Sequence, residues 1–324
     1  MTRYAFLLLG VLTSGNLISQ SRITDSLTYQ TDSSYQLTVA FEKAKKADKN
    51  AAYPVVTSTN LKEMKLYKTG NNKQLDKIVY LPKPKNRNKS VVMFIFGGGW
   101  RSGSAEMNHH LALALVEKGY TVVLPNYPLS THMQYPAALY KLKHDIAFIR
   151  YNAKKWKVHP DKIAVGGFSA GGMLASLLAT SGAGMYADER IHSNERSIVN
   201  ALINIDGTLS FVHPESGEGD DSEKLSAATM WLGYKKADNY KLWEEASPLT
   251  HANEKTPPTL FINSNIDRMH AGREDYKKIL DRYHIYHEQK TFDTPLHHFP
   301  FFEPWFTPMV NAIDHFLRKV FRLK

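Results

Sequence analysis

Short apolar runs alternate with helical stretches along most of this 324-residue chain, and this alternation constrains the fold more than any other feature. The predicted strands cover residues 90–96, 121–125, 162–166, 198–205, 259–264 and 288–292. The predicted helices cover residues 108–118, 136–155, 171–180, 272–283 and 308–321. Such alternation is typical of parallel strands joined by right-handed crossovers. The sequence therefore predicts an α/β fold with a mostly parallel central sheet flanked by helices.

Two segments depart from the alternation. Thr69-Gly70-Asn71-Asn72 separates two apolar stretches, at 66–67 and 78–81, with turn residues that tolerate positive φ, which predicts a hairpin and an antiparallel edge to the sheet. Residues 211–248 follow the strand predicted at 198–205. An insertion after the carboxyl end of such a strand lies over the ligand crevice of an open α/β sheet, so we expect a small lid there.

The N-terminus has the pattern of a secretory signal peptide. Arg3 precedes an apolar stretch at residues 4–12, which is too short to span a bilayer as a stable helix. We place cleavage after Ser19; the alternative is an uncleaved anchor. The predicted organisation is a signal peptide at 1–19, a polar leader at 20–60 and one domain at 61–324. A secreted or periplasmic protein without stable membrane insertion after cleavage is expected.

Composition excludes some chemistry. The chain has no cysteine, so disulfides, thiolate metal sites and cysteine nucleophiles are absent. The net charge of +10 comes from lysines scattered in short groups, without an aromatic-interleaved basic stripe, so we expect a solvated surface and no nucleic-acid partner. No histidine pair has convincing metal-ligand spacing with carboxylates, so neither a metal nor another cofactor is predicted.

A glycine-flanked serine is the strongest candidate for chemistry. Gly167-Phe168-Ser169-Ala170-Gly171 follows a buried strand and begins a helix, as in a nucleophile elbow. The helix N-terminus favours negative charge developing next to Ser169. Gly97-Gly98-Gly99 follows the strand at 90–96 and matches the glycine loop that supplies oxyanion donors. The predicted oxyanion hole consists of the N–H groups of Gly98, Gly99 and Ala170.

A serine nucleophile needs a base, and the base needs an orienting carboxylate. Asp267 follows the strand at 259–264 and is the predicted acid, whereas Asp206, after the strand at 198–205, is the alternative. The adjacent His297 and His298 follow the last predicted strand, and either could be the base.

These motifs resemble the α/β-hydrolase superfamily in its esterase/lipase branch, and more closely acetyl xylan esterase and feruloyl esterase-like proteins of polysaccharide-degrading bacteria. The resemblance runs from about Leu66 to the C-terminus and is carried by residues 96–100, 159–172 and 293–306. In this group a histidine, any residue and a phenylalanine precede an apolar run, which identifies His297 as the base. Phe96 and Phe168 stand where many lipase relatives have histidine and aspartate, which argues against the hormone-sensitive-lipase branch proper.

The resemblance and the signal sequence imply a secreted serine esterase that removes acetyl or aromatic acyl groups from plant or algal polysaccharides. Trp100, Trp231 and Trp305 could then stack on sugar rings. One alternative is a general carboxylesterase or lipase-like hydrolase of small or lipid esters. The other is an inactive binding protein on the same fold.

Overall fold

A computed structural model describes residues 22–24, 33–70, 74–186 and 197–323 of the chain. The predicted signal peptide at 1–19 and the turn residues Asn71 and Asn72 lie outside the described residues. Within the described part, no helix combines the length and apolar character needed to cross a membrane.

The described strands form one eight-stranded sheet in the order β1-β2-β4-β3-β5-β6-β7-β8. Strand β2 pairs antiparallel with β1 and β4, and all other neighbours are parallel. The predicted mostly parallel sheet with an antiparallel edge is therefore confirmed. The strands are β1 (Leu61–Thr69), β2 (Gln74–Pro82), β3 (Val91–Ile95), β4 (Thr121–Pro125), β5 (Ile163–Phe168), β6 (Ala201–Ile205), β7 (Thr259–Asn263) and β8 (His287–Thr291).

Helices cover both faces of the sheet. They are α1 (Ser33–Ala47), α2 (His109–Glu117), α3 (Ala137–Trp156), α4 (Ala170–Thr180), α5 (Ala227–Leu232), α6 (Tyr240–Glu245), α7 (Pro248–His251), α8 (Arg273–Arg282) and α9 (Phe306–Phe321). Alternate residues of a strand point to opposite faces. In β3, Met93 packs with α3 and α4, whereas Val92 and Phe94 pack with α1, α2 and α9. The apolar runs in the sequence are thus strands buried on both faces.

The predicted lid folds back onto the protein. The segment 211–248 contains α5 and α6, and its Phe211, Trp231 and Trp243 are fully buried. The Nε1–H of Trp243 donates a hydrogen bond to the carbonyl of Tyr234 at 3.0 Å. Because its aromatic side chains belong to the core, this segment is a packed wall above the sheet.

The predicted leader also packs against the domain. Ala40 and Ala44 of α1 are buried in the cluster that contains α9, and the ring of Phe41 packs against those of Tyr53 and Phe302. The backbone N–H of Ile23 donates to the carbonyl of Gly233, next to the C-terminus of α5. Apolar side chains of the predicted leader are therefore part of the core, although the sequence of this region is mostly polar.

Candidate active site

Ser169 lies on the turn between β5 and α4 and has an unusual backbone conformation. Its φ of 55° and ψ of −125° place a non-glycine residue in a sparsely populated region. The glycines on either side leave room for this turn. A Cβ on Gly167 would lie 2.2 Å from the carbonyl oxygen of Gly171, and one on Gly171 would lie 2.2 Å from that of Ile95. The turn therefore has the geometry predicted for a nucleophile elbow.

A chain of hydrogen bonds connects three side chains at the carboxyl edge of the sheet. The Nε2 atom of His297 lies 2.9 Å from Ser169 Oγ, and its Nδ1 atom lies 3.1 Å from Asp206 Oδ2. A carboxylate only accepts hydrogen bonds, so Nδ1–H donates to Asp206 and Nε2 accepts from the serine hydroxyl. The structure thus brings together two residues of the predicted triad, Ser169 and His297, with the alternative acid.

Asp267 does not take part in this chain, which corrects our first choice of acid. It begins a short 3₁₀ turn after β7, its side chain is 93% exposed, and its Oδ1 atom lies 4.0 Å from Nε2 of His270. The turn directs the carboxylate into solvent, away from the imidazole of His297. The acid position therefore follows β6, one strand nearer to the serine.

Asp206 is held in place by its surroundings. It has no solvent exposure, and it accepts hydrogen bonds from the backbone N–H and the hydroxyl of Ser264 at 2.8 and 2.6 Å. The buried amide of Asn204 accepts from the N–H of Gly207 and donates to its carbonyl, which braces the turn around Asp206. The two Ser264 donors pair with the buried carboxylate oxygens and fix the position of the side chain.

His298 lies against the catalytic histidine candidate but does not contact the serine. Its ring is 5.4 Å from that of His297 and 5.9 Å from that of Phe168, between centroids. Burial, reinforced by the neighbouring His297 and Lys43, lowers the pKa of His298 to about 4. His298 is therefore neutral around pH 7 and adds no charge to the site.

The predicted oxyanion donors lie around the serine on two loops. Gly99 and Ala170 line the same small cavity as Ser169. Gly98 has a φ of 124°, and a Cβ there would lie 2.2 Å from the carbonyl oxygen of Ser102, so only glycine fits. The role of the three N–H groups as oxyanion donors stays a prediction.

The three tryptophans predicted to contact substrate lie in different places. Trp100 lines the cavity beside Ser169. Trp231 has no exposure and stacks beneath Trp100, with centroids 5.0 Å apart, so it supports the wall from behind. Trp305 packs in the core cluster of α9, away from the cavity. The structure thus does not support Trp231 and Trp305 as substrate contacts, because both are used in packing.

Several cavity residues were not predicted from the sequence. The cavity has a volume of about 50 Å³, and its wall includes six unpredicted side chains. These are Met173, Thr208, Glu218, Ala227, Arg268 and Met269. Thr208 follows β6, and Arg268 and Met269 follow β7, so their positions after parallel strands were a signal that could have found them. Glu218 lies in the predicted lid, where sequence offers no comparable signal.

Metal-binding side chains do not form clusters of three or more within the ranges that the structure covers. The expectation that no metal or cofactor takes part stays a prediction. The chemistry available at the site is that of the serine, the imidazole, the carboxylate and the surrounding N–H groups.

Comparisons with known proteins agree with this geometry. The chain is 26% identical over 192 residues to esterase LipQ of Mycobacterium tuberculosis, a match that covers 56% of this chain and 43% of LipQ. It thus spans less than half the length of that relative.

Solved structures show the same fold. A truncated carbohydrate esterase from gut microbiota has a TM-score of 0.65 and 17% identity, covering 82% of this chain and 99% of that one. A propionate-bound esterase of Thermogutta terrifontis has a TM-score of 0.63 and 23% identity, covering 81% and 95%. These likenesses show the α/β-hydrolase fold. The BD-FAE family model matches residues 75–272, more than half of the sequence, and the chain therefore belongs to the BD-FAE family.

Proposed function

We propose that the protein is a serine carboxylic ester hydrolase that removes short acyl groups, acetyl foremost, from polysaccharides. The observation that carries the proposal is the hydrogen-bonded chain from Ser169 through His297 to Asp206. This arrangement makes a serine hydroxyl nucleophilic, because the imidazole accepts its proton and the carboxylate stabilises the resulting imidazolium.

The reaction is acyl transfer to water in two steps. His297 takes the hydroxyl proton as Ser169 Oγ attacks the ester carbonyl carbon, and the N–H groups of Gly98, Gly99 and Ala170 stabilise the oxyanion. The tetrahedral intermediate collapses, and His297 gives the proton to the departing alcohol oxygen. A water molecule, deprotonated by His297, then attacks the acyl-enzyme, and the acid is released as Ser169 regains its proton.

The cavity beside Ser169 favours a small acyl group. A volume of about 50 Å³ corresponds to about three or four water-sized groups, at roughly 10–15 Å³ each. That space accommodates an acetyl group more readily than an aromatic acyl chain. We therefore favour acetyl esters over the aromatic esters that the resemblance also suggested.

Two observations support a polysaccharide as the substrate. The gut-microbiota protein that shares the fold is described as a carbohydrate esterase. The N-terminal sequence also predicts export, which would place a secreted or periplasmic protein where polysaccharides are degraded. The alternative function is that of a general carboxylesterase acting on small esters.

The nucleophile is tested with p-nitrophenyl acetate. Ser169→Ala is expected to lower kcat/KM by at least about 10³-fold, since no other hydroxyl can form the acyl-enzyme. Ser58→Ala, which removes the same atom at a surface site bonded to Glu117, should leave turnover unchanged. Full activity in Ser169→Ala would contradict the proposal.

The same assay series identifies the acyl group and the alcohol. Acetate and ferulate released from acetylated and feruloylated xylan are measured in parallel, and we expect acetate only. Ferulate release at a comparable rate would contradict the size argument. Hydrolysis of p-nitrophenyl acetate without release from any glycan would favour the general carboxylesterase.

A further inference from the structure

Two residues that line the active-site cavity carry buried polar atoms that the described residues leave unpaired. Thr208 is 6% exposed and Trp100 is 3% exposed, and both line the cavity with Ser169. Thr208 Oγ1 and Trp100 Nε1 have no hydrogen-bond partner among the described residues. Buried polar groups are normally paired, so the ligand of this cavity is expected to carry hydrogen-bonding groups close to the ester. A sugar meets this requirement better than a hydrocarbon chain.

A cation lies at the solvent-exposed side of the same cavity. Arg268 lines the cavity, and its aliphatic stem lies over Gly217, where a Cβ would be 3.3 Å from the arginine Cδ. The absence of a side chain at position 217 therefore leaves room for the arginine. Among the described residues, Arg268 makes no salt bridge within 4.0 Å. Its neighbour Asp267 is directed into solvent, 93% exposed.

The acidic residue in the cavity wall neutralises this cation poorly. Glu218 shares the cavity with Arg268 and accepts a hydrogen bond from the N–H of Ala228 at 3.4 Å. Burial raises the pKa of Glu218, although the Ala228 N–H and the charge of Arg268 act in the opposite direction. Burial thus disfavours the charged form of this carboxyl group, and Glu218 competes only weakly for Arg268.

We propose that Arg268 binds a carboxylate on the alcohol portion of the substrate, so that the preferred ester is an acetyl group carried by a uronic-acid-containing glycan. A guanidinium binds a carboxylate through paired, charge-assisted hydrogen bonds. The net charge of +10 favours the approach of such a polyanion. This inference rests on the proposed function and narrows its substrate class.

The test compares one sugar with and without its charge. Acetate release is measured from O-acetylated oligogalacturonides and from the same oligosaccharides after methyl esterification of their carboxylates. Wild-type protein should show a kcat/KM about tenfold higher for the charged form, the size expected of a charge-assisted contact. This preference should shrink as salt screens the charges.

Variants of cavity residues test whether the preference for the charged oligosaccharide arises in the cavity. Arg268→Gln should bring the ratio of the two kcat/KM values to about one, mainly through KM for the charged form. Glu218→Gln should raise the ratio, because it removes the carboxyl group that competes with the substrate. The opposite signs separate a charge effect from a general disturbance of the site. Arg282→Gln, at the exposed C-terminal end of α8, removes the same charge elsewhere and should keep the wild-type ratio.

The outcomes separate this inference from the proposed function. Equal acetate release from both forms by wild-type protein, or an unchanged ratio in Arg268→Gln, overturns the role of Arg268 and leaves the glycan esterase standing. A proportional loss on both forms in Arg268→Gln also overturns it. No acetate from either form, together with Ser169-dependent hydrolysis of p-nitrophenyl acetate, overturns both.

Discussion

Asp206 and Asp267 follow neighbouring strands, and only one of their carboxylates reaches the imidazole of His297. The carboxylate of Asp206 is buried and receives two hydrogen bonds from Ser264, at the end of β7. Strand β7 thus contributes Ser264, which holds Asp206 in place. The aspartate that follows β7, Asp267, is exposed. An acid after β6 also keeps the chain order of serine, acid and histidine.

Exchanging each carboxylate for an amide tests this assignment. Asp206→Asn should lower kcat/KM for p-nitrophenyl acetate by about 10³–10⁴-fold, because the amide no longer stabilises the imidazolium or its tautomer. Asp267→Asn is the matched control and should retain nearly full activity on this uncharged ester. The assignment is wrong if the second variant loses activity and the first does not.

The sequence predicted those site residues that are recognised from neighbours close to them along the chain. Ser169 has its glycines within two residues, and the histidine has its phenylalanine two residues away. The acid could not be chosen this way, because Asp206 and Asp267 both follow buried strands. The position of Asp206 depends on its hydrogen bonds with Ser264, which follows a different strand, and these are contacts that local spacing does not reveal. Tryptophans were misleading for a similar reason, since a buried and a substrate-facing ring look alike in sequence.

The junction of β5 and α4 depends on how closely two backbone segments approach each other. Gly167 faces the carbonyl of Gly171 at the first turn of α4, and the missing side chain permits that contact. The approach holds Ser169 in its high-energy conformation, because the surrounding backbone cannot relax.

Gly167→Ala should therefore both destabilise the fold and reduce activity. Overpacking against backbone costs about 1–3 kcal/mol, and the displaced turn would move Oγ away from His297. Gly184→Ala is the control, since a Cβ there meets no atom within 4 Å. Urea unfolding and p-nitrophenyl acetate turnover measure the two effects. Equal stability of both variants would contradict the packing argument.

At the level of elements, the sequence predicted where along the chain each strand of the parallel part of the sheet lies. Apolar runs identify strands buried on both faces, and glycines mark where they end. The strand predicted at 198–205 begins at Ala201 in the structure, directly after Asn200. Periodicity could not show that the segment 211–248 contributes Trp231 and Trp243 to the core, since its burial comes from tertiary contacts.

At the scale of the whole molecule, the N-terminal segment is part of the folded domain. Residues 20–60 were predicted as a leader preceding the domain, yet α1 buries Ala44 and packs Phe41 against Tyr53 and Phe302. Helix α1 thus covers the same face of the sheet as α9. The folded unit of the described chain therefore includes residues from this leader.

Phe41→Ala tests this integration. Loss of the half-buried ring should lower the free energy of unfolding by about 1–3 kcal/mol, below the cost for a fully buried phenylalanine. Val39→Ala, at a position of the same helix that is 38% exposed, should change it little. Urea denaturation followed by circular dichroism compares the two. Equal stability of Phe41→Ala and wild type would mean that α1 is dispensable.

The two outer strands of the sheet have a consequence for behaviour at high concentration. Strand β1 carries Lys62, Lys65 and Lys68, and β8 carries Glu288 and Lys290. An unpaired strand edge can recruit another chain through its free backbone groups, and charged side chains oppose that approach. The charged side chains on both outer strands therefore disfavour pairing between the sheet edges of two copies, which opposes fibrillar aggregation.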